Sequence, residues 1–221
     1  MPDDLIIIGA GGTSRNIAAM VEEINEREPA WNLLGFLDDD PHKTGLELLG
    51  YPVLGTTGAV SHYPEARFVI GIAHYRRREI RRTVAARLGL PPERFATLIH
   101  PSVSFKRHVK IGRGTVILPG SVIGAGVVIG NHVIVSDLVH TGHDTIIEAC
   151  ATVAAGSCIS GGVRIGQCAY LGAGSVVIDG IEIGEGSLVG AGAVVVHNVA
   201  AGAVVAGNPA RGLQRGDRAV R

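Results

Sequence analysis

Residues 109–150 read VKIGRG TVILPG SVIGAG VVIGNH VIVSDL VHTGHD TIIEAC, and the same six-residue frame runs on as ATVAAG SCISGG VRIGQC AYLGAG SVVIDG IEIGEG SLVGAG AVVVHN VAAGAV VAGNPA to Ala210. Cut this way, 102 residues form 17 hexads without an insertion. The third position is aliphatic or alanine in every hexad except at Thr141 and Gly207, and the first is Val, Ile or a small residue. Positions 1 and 3 therefore share one face of a very short strand. Position 4 is glycine in nine of the 17, which predicts a tight corner there, because glycine takes turn dihedrals at no steric cost. Strands that turn every six residues bury their apolar column only by stacking on the next coil, so the repeat predicts a parallel β-helix. The frame extends backwards through VSFKRH and TLIHPS and puts Phe105 and Ile99 in the same column.

Composition agrees. Glycine accounts for 32 of 221 residues, 20 of them within 109–210, and aromatics for only 4%. Apolar residues make up 46%, and 20 basic side chains balance 20 acidic ones. That excludes a disordered chain and offers no electrostatic case for nucleic acid or an anionic membrane. No stretch approaches the roughly 20 apolar residues of a membrane span, and Met1-Pro2-Asp3-Asp4 lacks a basic leader, so a cytoplasmic protein is expected. Cys150, Cys158 and Cys168 form no C-x-x-C pair; reduced thiols are expected, with Cys150 and Cys168 stacked three hexads apart.

Ahead of the repeats the pattern changes. Leu5–Ile8 is a buried-strand run, Gly9-Ala10-Gly11-Gly12-Thr13-Ser14 a glycine turn, and Ile17, Met20, Val21 and Ile24 have helical spacing. Further strands are expected at Trp31–Leu37, near Tyr51–Leu54 and at Arg67–Ala73, with a helix over Arg77–Leu88. Such alternation predicts a small Rossmann-like α/β domain over 1–96, then the β-helix over 97–210 and a tail over 211–221. A glycine turn between strand and helix lets backbone N–H groups approach a phosphate, and Asp38 and Asp39 close the next strand where a ribose or base edge would lie. The arginines of Arg76-Arg77-Arg78 and Arg81-Arg82 read as a solvated helix face.

The GAGG…FLDDD sheet, the IHPSV entry into hexads, His143-Asp144 and the closing GNPAR together resemble the hexapeptide-repeat nucleotide-sugar acetyltransferases. That group includes the bacillosamine- and perosamine-pathway N-acetyltransferases, with sialic acid O-acetyltransferases as relatives. The resemblance implies a left-handed β-helix of three hexads per coil, a homotrimer, and acetyl-CoA as cosubstrate between adjacent helices, with no metal. It implies N-acetylation of a nucleotide-linked amino sugar, of the 4-amino-4,6-dideoxy type, for surface polysaccharide or glycan synthesis. Gly11, Gly12, Thr13, Asp38, Asp39 and Ala73 would then touch the nucleotide sugar. His143 matches the general base, Asp144 the acid that orients it, and Gly161 the oxyanion donor. Ala173 and Ala191 match positions lining the CoA channel, and Thr152 stands where a relative carries a histidine facing acetyl-CoA.

The residues support that chemistry independently. A histidine suits deprotonation of an ammonium near neutral pH, and His143 lies in the one interior hexad whose third position is polar. Gly161 follows His143 by three hexads, one coil away in the same column, so its N–H is expected to face the same spot. His132 and His197 sit at corners as expected exposed residues, and His140 as a neighbour of the site. Three other readings fit parts of the pattern: a sugar O-acetyltransferase using the same base, a zinc hydro-lyase drawing on His108, His140 and His143, whose spacing does not match that family, and a non-catalytic nucleotide-sugar-binding scaffold, against which the intact His143-Asp144 pair argues.

Overall fold

The computed structural model describes residues 1–213; of the expected tail, residues 214–221 lie outside the described residues. Strand β1 (Asp3–Ile8) feeds through the glycine turn into helix α1 (Gly12–Arg27) and then β2 (Trp31–Leu37). A two-residue strand β3 (Glu47–Leu48), unmarked in the sequence pattern, forms a hairpin with β4 (Tyr51–Gly55). Strand β5 (Arg67–Ile70) and helix α2 (Ile80–Leu88) complete the unit. The sheet order is β3-β4-β2-β1-β5, and all pairs except β3–β4 are parallel. The fourth strand ends at Ile70 and not at Ala73; Gly71–Ala73 leaves the sheet as a loop beside the glycine turn.

From Leu98 onward the chain is a left-handed parallel β-helix with three faces. Its strands are very short, and each pairs with the strand three hexads away, as in Val122↔His140↔Cys158 and Ile134↔Thr152↔Tyr170. Phe105 pairs with Ile123 and Ile99 with Ile117, so the backward frame holds in register, but Phe105, on an edge strand with no coil stacked before it, is exposed and lies outside the core column. The third-position side chains fill one continuous core from Ile117 to Val205. Thr141 is fully buried in that column, its Oγ1 accepting from the Gly124 N–H at 3.2 Å.

Two features of the repeat differ from the sequence reading. The left-handed backbone conformation falls at position 6, occupied by glycine or by His108, His132, Leu138, Asp144, Cys150 and Cys168. At position 4, the glycines from Gly112 to Gly190 are required for a different reason: a Cβ there would lie closer than 3.0 Å to atoms of the following coil. Close stacking, not turn geometry, selects them. The frame also breaks near its end, because Leu188 pairs with Val204, where the frame would give it Ala206, and Ile183 bridges Val199. The last coil is therefore short, so Val205 and not Gly207 enters the core column, and Arg211–Gly212 folds back against Val205–Ala206.

The α/β unit docks on one face of the solenoid. Leu5, Ile7 and Val69 share an apolar cluster with Leu98, Val116, Leu118 and Ile134. The arginines expected to be solvated form much of this junction. Arg81 is buried, and its guanidinium donates to the carbonyls of Ile72, His132, Cys150 and Ala151 and to Thr152 Oγ1, at 2.6–3.0 Å. Burial pulls its pKa down to about 10, so it keeps its charge at neutral pH. Arg78 donates to the Gly186 carbonyl at 2.6 Å and Arg82 pairs with Glu185 at 2.6 Å. Helix α2 thus presents its basic side to the exposed carbonyls and acid of solenoid corners, a partner invisible in one-dimensional sequence.

His132 departs from its expected exposure for the same reason. It is half-buried at this junction, its ring edge-on to Phe95 at 4.6 Å and packed against Gly114, and Nδ1 has no hydrogen-bond partner. Burial, with the Arg81 charge adding to it, lowers its pKa to about 4. Between pH 6.5 and about 4 the unfolded chain takes up a proton here and the folded chain does not, so stability falls as the pH drops through that window. Denaturant unfolding of wild type and His132→Asn across this range is expected to show a shallower loss in the variant, since asparagine tolerates left-handed backbone and does not titrate. Equal pH slopes would contradict the assignment.

Candidate active site

A cavity of about 660 Å³ opens at the carboxyl ends of the parallel strands, where Gly11, Gly12, Thr13, Asp38, Asp39 and Ala73 all line it. Helix α1 begins there with Gly11 as its N-cap and no side chain capping it, which leaves its first amides free for an anion. Asp38 shapes the turn: Oδ2 accepts from the Ala10 N–H at 2.7 Å and from Lys43 at 3.0 Å, and Oδ1 from the Asp40 N–H at 2.9 Å. Burial alone would raise its pKa, but these donors outweigh that and hold it below the ordinary carboxylate value. Asp39 is similarly held low against the effect of burial; its Oδ1 accepts from the Thr57 amide and hydroxyl, and Oδ2 pairs with Arg87. Lys43, Thr57, Arg77 and Arg87 also line the cavity. Lys43, Thr57 and Arg87 escaped sequence reasoning, and Arg77 was expected on a solvated face, since only the fold carries these residues to the glycine turn.

A second group forms on the solenoid. His143 and Asp144 turn a corner, with Asp144 in the left-handed position, and Nδ1 of the ring lies 3.0 Å from Asp144 Oδ2. Their side chains are 70% and 74% exposed. An ionised carboxylate only accepts, so Nδ1 carries the proton and Nε2 of the neutral ring presents its lone pair. That nitrogen faces Gly161, where a Cβ would come within 2.5 Å of it, so the close approach requires glycine. The Gly161 N–H, the expected oxyanion donor, donates to Asp179 Oδ1 at 3.0 Å.

The other site residues separate by face. The strands at His140–Thr141, Cys158–Ile159 and Val176–Val177 form the face between the His143 corner and the corner carrying Ala173 and Ala191. Both alanines are exposed and occupy consecutive coils, with the Gly192 N–H donating to the Ala173 carbonyl. His140 and Cys158 project outward on that face. Thr152 lies elsewhere: it is buried beneath the α/β unit and its hydroxyl accepts from Arg81 at 2.6 Å. Its side chain is committed to the domain junction, which the spacing from His143 could not reveal. Cys150 and Cys168 are buried free thiols whose mutual hydrogen bond raises the pKa of the first and lowers that of the second. Among the described residues no three or more His, Cys, Asp or Glu side chains are arranged to hold a metal, and His108, His140 and His143 do not converge. No helix among them is long and apolar enough to cross a membrane.

A cavity at a strand-turn-helix junction joined to a hexad solenoid with a carboxylate-oriented histidine defines a class, the hexapeptide-repeat transferases with an N-terminal ligand-binding domain. Residues 4–88 match the family described as PglD N-terminal domain, and residues 162–197 the bacterial transferase hexapeptide (six repeats). The acetyltransferase domain of PglB from Neisseria gonorrhoeae, also solved with acetyl coenzyme A, superposes with a TM-score of 0.83 at 32% identity, over 96% of this chain and all of that one. Perosamine N-acetyltransferase from Caulobacter crescentus, solved as a variant with CoA and GDP-perosamine, gives 0.82 at 28% identity over 96% and 97% of the two chains. UDP-N-acetylbacillosamine N-acetyltransferase of Bacillus subtilis (strain 168) is 33% identical over 118 residues, 52% of this chain. That match spans about half the length of the Bacillus protein, 51%. The chain belongs to the hexapeptide-repeat nucleotide-sugar acetyltransferase family.

Proposed function

We propose that this protein transfers the acetyl group of acetyl-CoA to the amine of a nucleotide-linked amino sugar, of the 4-amino-4,6-dideoxy type, in cytoplasmic synthesis of a surface glycan. The observation that carries this reading is the His143–Asp144 pair: a histidine with Nδ1 engaged by a carboxylate and Nε2 free, on an exposed corner of a chain that also holds a cavity at the N-terminus of α1. The nucleotide lies in the α/β unit, residues 1–96, with its diphosphate toward Gly11, Gly12 and Thr13 and its base or ribose toward Asp39 and Arg87. Acetyl-CoA runs along the face bounded by Ala173 and Ala191, which brings the thioester to His143.

His143 Nε2 takes the proton as the sugar nitrogen attacks the thioester carbonyl and the N–C bond forms. Asp144 keeps the ring in the required tautomer and stabilises the imidazolium. The negative charge on the tetrahedral oxygen is met by the Gly161 N–H. As the C–S bond breaks, the departing thiolate takes the proton back from His143, which returns the base to its starting state.

The cavity lining includes no residue of the His143 corner; in this reading the two halves of the site meet across a subunit boundary. The solenoid faces not covered by the α/β unit carry outward Val122, Val176 and Val194 on one side and Val128 and Ile146 on the other. These aliphatic stripes suit a threefold arrangement of solenoids, and light scattering is expected to give three times the 22.9 kDa chain mass. A monomer at micromolar concentration would contradict a shared site.

Kinetics test the roles. His143→Ala is expected to lower kcat on the order of 10²-fold with the melting temperature unchanged. Asp144→Asn should cost less, because it keeps the base and loses only orientation and charge. Asp39→Ala should raise the KM of the sugar while leaving that of acetyl-CoA near its starting value. Near wild-type turnover in His143→Ala would move the base elsewhere, and equal KM effects in Asp39→Ala would make the acidic pair structural.

A further inference from the structure

The donor beside His143 is already in use. Gly161 N–H points at Asp179 Oδ1, 3.0 Å away, while His143 Nε2 packs against the Cα side of the same residue. A carboxylate and the proposed base thus flank one glycine, and Asp179, at position 5 of its hexad, is exposed. The same tie occurs on another corner, where Asn131 Oδ1 accepts from the Arg113 N–H at 2.8 Å, again one coil back and again at position 5. There a neutral amide performs the task, so the tie itself needs an acceptor and not a charge. Among the described residues no Lys or Arg forms an ion pair with Asp179. Its carboxylate is left without a cationic partner, on the same glycine that His143 Nε2 faces.

We infer that Asp179 is the carboxylate that receives the cationic amine of the acceptor, and that in turning to it Asp179 releases the Gly161 N–H for the oxyanion. The inference rests on the amino-sugar reading above. Charge makes the exchange favourable in the required order. Before the acceptor arrives, the amide is held by Asp179. An ammonium, carrying a full charge and several donors, outcompetes one neutral amide for the carboxylate. The freed amide then faces the thioester oxygen only when the acceptor is in place. A neutral hydroxyl offers the carboxylate no such gain, so this residue selects amines over alcohols. It binds the protonated amine, which gives up its first proton to solvent before attack; His143 removes the second as the N–C bond forms.

The test uses the full-length protein with acetyl-CoA and UDP-, GDP- and dTDP-linked 4-amino-4,6-dideoxyhexoses, reading release of free CoA thiol. Asp179→Asn keeps an acceptor for the Gly161 N–H and removes the charge, so the fold is expected to be undisturbed. The sugar KM is expected to rise about tenfold at neutral pH, which is ~1.4 kcal/mol, with the acetyl-CoA KM within about twofold of wild type. The increase should shrink as the pH passes the pKa of the sugar amine, because the neutral amine gains nothing from the carboxylate; a purely structural tie would give no such pH dependence. Turnover by wild type with an unchanged sugar KM in Asp179→Asn overturns this inference alone. Wild type that releases no thiol with any of the three sugars overturns the amino-sugar reading, and this inference with it.

Discussion

Main-chain hydrogen bonds between successive coils are the constraint from which the rest of this molecule follows. So short a strand has almost no pairing of its own; Val122 donates to the Val139 carbonyl at 2.8 Å and His140 to that of Ser157 at 3.0 Å, and each rung depends on the rungs above and below. That dependence imposes the third-position aliphatic column inside and the position-4 glycines where coils approach most closely. It leaves positions 5 and 6 of each corner largely free of packing duties. His143, Asp144, Gly161 and Asp179 all occupy those positions, so chemistry could be placed there without disturbing the core.

The junction between the two units obeys a different rule. Solenoid corners expose carbonyls, and a single buried guanidinium with its fork of N–H groups can satisfy several at once. Arg81 reaches one loop carbonyl of its own unit and three solenoid carbonyls together with the Thr152 hydroxyl. It has no carboxylate partner among these contacts. Without them the charge could not remain buried. The consequence reaches the ligand cavity, because α2 and the turn before it supply Arg87 and Arg77 to its lining, and this segment is itself fixed by Arg78, Arg81 and Arg82.

Within the cavity, the acidic cluster mainly organises the site. Asp38 uses both oxygens to bind the glycine turn and Lys43, which orients the turn's amides for an anion. Asp39 is more open and shares its outer oxygen with Arg87. A ligand there meets a preformed pair of opposite charges and not a bare carboxylate, a distinction that bears on which base or ribose edge it accepts.

Period and composition in the sequence by themselves determined the solenoid, its repeat of three hexads per coil once the family resemblance is added, its core column back to Ile99, and the strand-turn-helix character of the first hundred residues. These are local or strictly periodic properties, and each residue's environment repeats. The candidacy of His143 with Asp144 was also legible, since only this histidine is followed by an acid; that the two exposed side chains meet is a matter of their conformation on the corner. Only the tertiary structure decided the fates of Arg81, His132 and Thr152, which a linear reading placed on a solvated face, on an exposed corner and at a ligand. All three are governed by one long-range event, the docking of α2 on a solenoid face. The short last coil and the tie from Gly161 to Asp179 belong with them: register between coils and competition for a single N–H depend on which atoms lie opposite each other in space, and no spacing along the chain encodes that.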